Sequence, residues 1–153
     1  MLSKFILAVV LILVLMQFIP LDKTNPKVDE SIALHADKKV MNILKKSCYD
    51  CHSNETKWSI YSDIAPLSFE VLNHVNVGRE AINFSEYKKI DKETKIKRLK
   101  RAIQTVKNGM MPLSSYTMFH DEAVMSKEDK KILVDWFEAQ LKSLCGDEEW
   151  KAY

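Results

Sequence analysis

Apolar residues recur every three to four positions over much of the chain, which is the spacing of amphipathic helices. The clearest example runs from about Lys92 to Asn108 and carries a stripe made of Ile96, Leu99, Ile103 and Val106. Asp91 is a typical N-cap before this stretch, and Gly109 is a typical residue with which to end it. The pattern predicts one long helix with a buried face.

Three further stretches have the same period. One begins near Ser31 and leads through Val40, Ile43 and Leu44 to Cys48. Another runs from about Leu67 to Val77 and is predicted to end at Gly78. The last follows a near capping box at residues 126–129 and places its apolar positions at Ile132, Leu133, Trp136, Phe137 and Leu141. No segment alternates as a strand does, so the sequence predicts an all-α fold.

The first twenty residues have the pattern of an export signal. Lys4 precedes an uncharged apolar run from Phe5 to Met16. Residues 16–21, directly before Asp22, include no small residue suited to a signal peptidase, so we expect residues 1–20 to remain as a membrane anchor helix. A helix over residues 2–19 reaches about 27 Å, which is just enough for a thin bilayer. A cleaved signal peptide with an atypical site is the alternative.

The anchor sets the expected domain organisation. Lys4 on the cytoplasmic side places everything after Pro20 outside the inner membrane, in the bacterial periplasm. Residues 21–30 are polar and are predicted to form a linker, residues 31–145 the folded domain, and residues 146–153 a C-terminal tail. About 130 residues remain without the anchor, which is enough for one small domain.

Charge is balanced overall but uneven along the chain. The formal net charge is only +2 and decides nothing by itself. Basic residues crowd the region of the long predicted helix, at Lys88, Lys89, Lys92, Lys95, Lys97, Arg98, Lys100, Arg101 and Lys107. Three interpretations are open: a face that steers an acidic protein partner, a face that rests on anionic lipid, and a solvated helix surface. Nucleic acid is not an expected partner outside the cytoplasm.

The most specific chemical motif is C-Y-D-C-H over residues 48–52. A C-x-x-C-H run is the attachment motif of c-type haem. Cys48 and Cys51 are spaced to add to the two vinyl groups of one porphyrin, and His52 is placed to ligate its iron. A thioredoxin-like redox pair and part of a zinc site are the alternatives, but a zinc site needs a second ligand pair that the chain lacks. One covalent haem c is therefore the predicted cofactor. Cys145 is then left as a single thiol without a disulfide partner.

The sixth position of the haem iron needs a separate candidate. Met111 follows the glycine that ends a predicted helix, and Pro112 restricts the chain directly after it. Thioether sulfur suits low-spin haem iron, so Met111 is the predicted distal ligand. The alternatives are Met110, His35, His74, His120 and water.

Several short runs outside the motif resemble those of a known family. They are Q-F-I-P at residues 17–20, C-H-S-N-E-T-K-W at 51–58, A-P at 65–66, N-F-S at 83–85 and M-P at 111–112. Over nearly the whole chain the sequence resembles the small haem-binding domain family of bacterial membrane-anchored monohaem c-type cytochromes. The resemblance implies a cytochrome c-like helical domain around one covalent haem, with His52 and Met111 as iron ligands. The chain departs from the family pattern at residues 59–60 and at Phe69, where packing near the haem is affected.

Two more residues have competing interpretations. Arg79 is placed either to pair with a haem propionate or to cap the helix predicted to end at Gly78. Trp58 flanks the porphyrin or fills a core.

Three functions fit these features. The first is an electron carrier that exchanges single electrons with redox partner proteins. The second is a haem-based sensor or peroxidase-like enzyme with a displaceable sixth ligand, although a peroxidase of this kind normally needs a second haem motif. The third is a subunit of a membrane complex. The oligomeric state and the identity of the partners are not determined by the sequence.

Overall fold

The computed structural model describes residues 1–146, in which the regular elements are all helices. Its α-helices are α1 (Leu2–Met16), α2 (Lys38–Ser47), α3 (Tyr49–His52), α4 (Leu67–Ala81), α5 (Lys92–Lys107), α6 (Ser114–Thr117) and α7 (Lys127–Cys145). Short 3-10 turns cover Ile60–Asp63, Phe84–Lys89 and Asp121–Ala123. No strand occurs between residues 1 and 146, which confirms the all-α prediction. The tail predicted beyond Gly146 lies outside the described residues.

The core is built where α5 packs along α7 and α2 closes one side. Leu44 of α2, Leu99 of α5 and Leu133 of α7 are fully buried at this junction. Three of the four residues of the predicted α5 stripe are buried, and Ile96 packs against the core at its edge. The helical period therefore identified the correct face of α5.

The ends of α5 and α7 follow their capping residues. The Asp91 carboxylate accepts a hydrogen bond from the Thr94 backbone N–H at 3.0 Å. Gly109 after α5 has a φ of 69°, a conformation that glycine adopts without steric cost. Ser126 and Asp129 form a complete capping box at the start of α7. These predictions are confirmed, and α7 runs on to Cys145.

Two predicted helix ends are wrong. The helix expected from Ser31 starts only at Lys38, because the Asp37 carboxylate accepts from the Lys39 and Val40 N–H groups and sets the N-terminus there. Gly78 does not end its helix but lies buried inside α4, which continues to Ala81. The reason for a glycine at this point is a close helix contact described below.

The apolar N-terminal segment forms a shorter helix than predicted. α1 ends at Met16, not Ile19, and none of its residues is buried. Within residues 1–146 no helix combines the length and the apolar character required to cross a membrane, so the predicted spanning helix is not found. Beyond α1 the Gln17 side chain turns to the domain, where its oxygen accepts from the Ala65 N–H at 3.0 Å and its nitrogen donates to the Ala65 carbonyl at 3.1 Å.

The polar segment that follows also lies against the domain. The Lys23 ammonium donates to the Ser62 carbonyl at 3.2 Å, and the Asn25 amide donates to the Thr56 carbonyl at 2.9 Å. Residues 21–30 are therefore held at several points by the folded domain.

Candidate functional site

The C-Y-D-C-H motif lies at the break between α2 and α3. Cys48 is the last capping residue of α2 and the first of α3, and its own backbone is non-helical (φ −132°, ψ −36°). Its carbonyl oxygen accepts from the N–H groups of Cys51 at 3.2 Å and of His52 at 2.9 Å. One turn of chain therefore carries both thiols and the imidazole, as attachment to a single porphyrin requires.

The ring of His52 is oriented by one specific hydrogen bond. Its Nδ1 lies 3.1 Å from the carbonyl oxygen of Ile82, which follows α4. Because a carbonyl only accepts, Nδ1 carries the proton and Nε2 keeps its lone pair. Burial lowers the pKa of His52, although the hydrogen bonds to the Ile82 and Gly78 carbonyls act in the opposite direction. A neutral imidazole with a free Nε2 is the form that ligates iron.

The two cysteines do not resemble a thiol redox centre. Neither is in a disulfide. Burial is the main reason that the pKa of Cys48 rises to about 12 and that of Cys51 to about 11. Thioredoxin-like cysteines have lowered pKa values, because the thiolate is their reactive form. Among residues 1–146, moreover, no three His, Cys, Asp or Glu side chains gather as a metal site. The raised pKa values therefore differ from those expected of a thioredoxin-like pair.

Helix α4 crosses the motif at Gly78. A Cβ atom built on Gly78 would lie 2.4 Å from the Cys51 carbonyl oxygen and 2.9 Å from the Cys51 carbonyl carbon. The backbones of α3 and α4 approach so closely that only a hydrogen atom fits between them. This contact brings the end of α4, and with it the Ile82 carbonyl, to the imidazole of His52.

Aromatic side chains support the other side of the motif. Tyr49 stacks on Phe84 with ring centroids 5.6 Å apart, and the His52 ring lies 6.0 Å from the same phenyl ring. Phe84 is held in turn by the Leu34 N–H, which donates to its carbonyl at 2.8 Å. Tyr49 and Phe84 are both buried, so the motif is seated on the core and does not lie on a free loop.

The distal candidates differ in their surroundings. Met111 is half-buried and packs against the hydrophobic core, whereas Met110 is 62 % exposed. The Nε2 atoms of the three remaining histidines are all engaged: His35 with the Glu30 carbonyl, His74 with the Glu70 carboxylate and His120 with the Tyr61 hydroxyl. Met111 therefore differs from the other candidates: it is partly buried, and its sulfur, unlike the Nε2 atoms of these histidines, is not engaged by a hydrogen bond or an ion pair in the contacts described.

The guanidinium of Arg79 is used by the protein itself. Its Nε donates to the Ser53 carbonyl at 2.8 Å, and its Nη2 donates to Asn25 at 2.8 Å and to Thr56 at 3.0 Å. Arg79 therefore fastens the chain after the motif to the segment that follows α1. The helix that Arg79 was predicted to cap does not end at Gly78, and its guanidinium donates to residues outside α4. Pairing with a haem propionate stays a prediction.

Trp58 carries a buried donor without an acceptor. Its indole Nε1 has no hydrogen-bond partner, although Trp and Tyr polar atoms usually find one when buried. An unpartnered N–H a few residues after the motif is suited to an acceptor that the chain does not supply, such as a haem carboxylate. With two unpaired thiols, a free imidazole nitrogen and a half-buried thioether, the residues present fit a haem group.

Sequence reasoning missed one set of residues beside the motif. Asp50 accepts from the Tyr116 hydroxyl at 2.7 Å, and the Tyr116 ring stacks on His120 with centroids 4.3 Å apart. His120 in turn contacts Tyr61 and Glu122 through its two ring nitrogens. Asp50 is a variable position of a C-x-x-C-H motif, and its partner lies 66 residues away, so the local sequence offered no signal.

Comparison with known proteins agrees with this geometry. A family model described as a haem-binding domain matches residues 11–139, which is most of the chain and includes every candidate ligand named above. No curated protein and no solved structure shows significant similarity to the chain. The motif on α3, its imidazole support from α4 and the extent of the match lead to one conclusion: the chain belongs to the haem-binding domain family.

Proposed function

We propose that the protein is a monohaem c-type cytochrome that carries single electrons between redox partners. The observation that carries the proposal is the environment of His52. Its ring is fixed by Ile82 on one nitrogen and open on the other, next to two thiols at attachment spacing. When bound, haem c supplies a one-electron iron couple. With Met111 as the second protein ligand, no coordination position is left for a substrate.

The residues around the motif would keep the site rigid. The Ile82 carbonyl fixes the orientation of the proximal imidazole, and the Gly78 contact holds α4 against the same turn. Arg79 fastens the following loop through Ser53 and Thr56. A site held in this way changes little between oxidation states, which favours fast electron transfer.

Attachment to the bacterial inner membrane, with the domain in the periplasm, is part of the proposal. The support is the basic residue Lys4 before an apolar run, together with the absence of any buried residue in α1. Apolar side chains without a protein partner are stabilised by lipid. In bacteria, haem is attached to C-x-x-C-H motifs outside the cytoplasm, and a periplasmic domain agrees with this.

The partner is proposed to be a redox protein that meets the domain through charge. Part of the basic cluster is already neutralised within the protein: Lys97 pairs with Glu93 at 2.8 Å, and Lys107 pairs with Glu138 at 2.7 Å. The pairs are exposed, so each contributes little to stability and stays available for exchange with an acidic partner.

The optical spectrum of the matured protein tests the proposal. A methionine-to-iron charge-transfer band in the ferric protein, with no carbon monoxide uptake by the ferrous protein within seconds, is the expected result. A high-spin ferric spectrum with rapid carbon monoxide binding would contradict the carrier function and favour a sensor or an enzyme with an open site.

A further inference from the structure

The dipeptide between the two cysteines is fixed to a distant part of the chain. Asp50 accepts from the Tyr116 hydroxyl at 2.7 Å and from the Lys57 backbone N–H at 3.1 Å. A carboxylate accepts but does not donate, so the hydroxyl of Tyr116 is the donor. A charge-assisted bond of this kind is among the stronger hydrogen bonds in proteins.

Tyr116 belongs to the loop system that carries Met111. Its own N–H donates to the Leu113 carbonyl at 3.0 Å, which ties the start of α6 to the end of the methionine loop. At the other end of the loop, the Met111 N–H donates to the Thr105 carbonyl of α5 at 3.1 Å. Met111 therefore lies on a short span held by α5 on one side and by α6 on the other.

The Tyr116–Asp50 bond joins this span to the haem motif. In the part of the chain that the structure describes, no other hydrogen bond connects α6 with residues 48–52. One candidate iron ligand, His52, belongs to the motif on the Asp50 side of this bond. The other, Met111, belongs to the loop on the Tyr116 side. The bond thus links the two elements directly.

The ring of Tyr116 is itself held in place. It lies nearly parallel to His120, with an angle of 20° between the rings. The Glu122 carboxylate lies 3.0 Å from His120 Nδ1 and the Tyr61 hydroxyl 2.7 Å from its Nε2. A neutral His120 with its proton on Nδ1 satisfies both contacts, because it donates to Glu122 and accepts from Tyr61. The stacked histidine cannot turn away without losing a bond.

We propose that Tyr116 is a positioning residue for the distal ligand: its hydrogen bond to Asp50 fastens the loop that carries Met111 to the motif that carries His52, so that both side chains could hold one haem. The inference rests on the proposed function, in which Met111 is the second iron ligand. A preorganised span of this kind keeps the thioether on the iron and limits rearrangement between oxidation states.

The test uses the full-length, matured haem protein with Tyr116→Phe, which removes the hydroxyl and keeps the stacked ring. Carbon monoxide binding to the ferrous protein reports how often the methionine leaves the iron. We expect the binding rate to rise roughly fivefold or more. The loss of a fully buried charge-assisted bond would shift the equilibrium between bound and released methionine by about a factor of ten, and the effect is smaller at this half-buried site. The ferric methionine band should weaken in parallel.

Tyr87→Phe is the matched control. The Tyr87 hydroxyl is buried and has no hydrogen-bond partner, so its removal takes away the same atom without breaking a bond. Its carbon monoxide binding rate should equal that of the wild type. Equal rates in Tyr116→Phe and Tyr87→Phe, with an intact methionine band in the wild type, would overturn the inference and leave the electron-carrier proposal standing.

Substitution of the other partner completes the test. Asp50→Ala also removes the acceptor of the Lys57 N–H, so it should raise the binding rate at least as much as Tyr116→Phe does. The double variant should be no worse than Asp50→Ala, and Asp50→Asn should restore part of the slow binding because its amide oxygen still accepts, without the charge. Additive effects in the double variant would overturn the inference, because the two side chains would then act separately. A wild type without any methionine band would refute the Met111 assignment, and this inference with it.

Discussion

The Cβ atom that Gly78 lacks would lie 2.4 Å from the carbonyl oxygen of Cys51. The first helix turn of the haem motif and the middle of α4 are therefore in backbone contact. The orientation of His52 depends on this approach, since the end of α4 delivers the carbonyl that binds its ring.

Gly78→Ala should be destabilising. The two nearest atoms at this position belong to the Cys51 backbone, so relief of the clash requires α4 to move. We expect a loss of about 2 kcal/mol in the free energy of unfolding, which is typical of overpacking, and a lower yield of matured haem protein. Urea denaturation followed by far-UV circular dichroism measures the first quantity.

Val77→Ala provides the comparison, because Val77 is on the same helix and 54 % exposed. Its effect should stay within about 0.5 kcal/mol. Similar unfolding free energies for Gly78→Ala and the wild type would show that α3 and α4 are not packed as described.

Met111→Ala should open the sixth position of the iron. A thioether favours the ferrous state, so the reduction potential should fall. A tenfold weaker preference for the ferrous state corresponds to about 59 mV for a one-electron couple, and we expect a fall of at least that size. Potentiometric titration provides the measurement.

Met110→Ala is the control for this change, because the two methionines are adjacent and Met110 is largely exposed. A reduction potential that changes in Met110→Ala and not in Met111→Ala would show that Met110, and not Met111, is the distal ligand. A bis-histidine spectrum altered by His74→Ala or His120→Ala would remove methionine from the iron altogether.

Arg79→Ala should lower stability through lost protein contacts. The variant leaves the Ser53 carbonyl and the Thr56 hydroxyl without their donor and releases Asn25. Because the guanidinium is partly exposed, we expect about 2 kcal/mol, which is less than the sum of three charge-assisted bonds. Arg101→Ala, at an exposed position of α5, should cost less than about 0.5 kcal/mol.

The reduction potential distinguishes the two roles of Arg79. A contact to a haem carboxylate would change the potential when the cation is removed, whereas a purely protein-bound guanidinium changes mainly the unfolding curve. A large shift in potential with an unchanged midpoint of denaturation would contradict the structural role.

Covalent attachment is a separate prediction. Cys48 and Cys51 are unpaired and lie on one helical turn, so both should form thioethers with the same porphyrin. Acid-acetone extraction of denatured protein should leave the haem on the chain, with the mass of the polypeptide increased by one haem. Cys48→Ala or Cys51→Ala should abolish or strongly reduce maturation. Complete extraction of haem from the wild type would contradict the thioether assignment.

Local signals in the sequence were sufficient for the regular helices. The buried stripe of α5 and the caps at Asp91 and Ser126 appear in the structure where their patterns placed them. These features depend on residues within a turn or two of one another, so no tertiary information was needed. The motif at residues 48–52 is likewise a local signal, because its chemistry is encoded in its spacing, and covalent attachment of haem to it stays a prediction.

The errors arose where a distant contact decides the outcome. Gly78 looks like a helix terminator in the sequence, but its small size serves the approach of Cys51, 27 positions earlier in the chain. α1 ends at Met16, and the next side chain binds Ala65, a contact that no pattern within the apolar run reveals. The Tyr116–Asp50 bond was missed for the same reason.

The Gln17 amide has a practical consequence for dividing the protein into fragments. Its oxygen and nitrogen pair with both backbone groups of Ala65, as a neighbouring peptide group would in a sheet. The folded unit thus begins within the apolar N-terminal region, and the family match, which starts at residue 11, includes it. A fragment that begins at Lys23 lacks both the apolar helix and the two bonds between Gln17 and Ala65. Polar substitutions confined to residues 2–12 would raise the solubility of the protein without removing a contact of the folded domain, because they leave Gln17 and Ala65 intact.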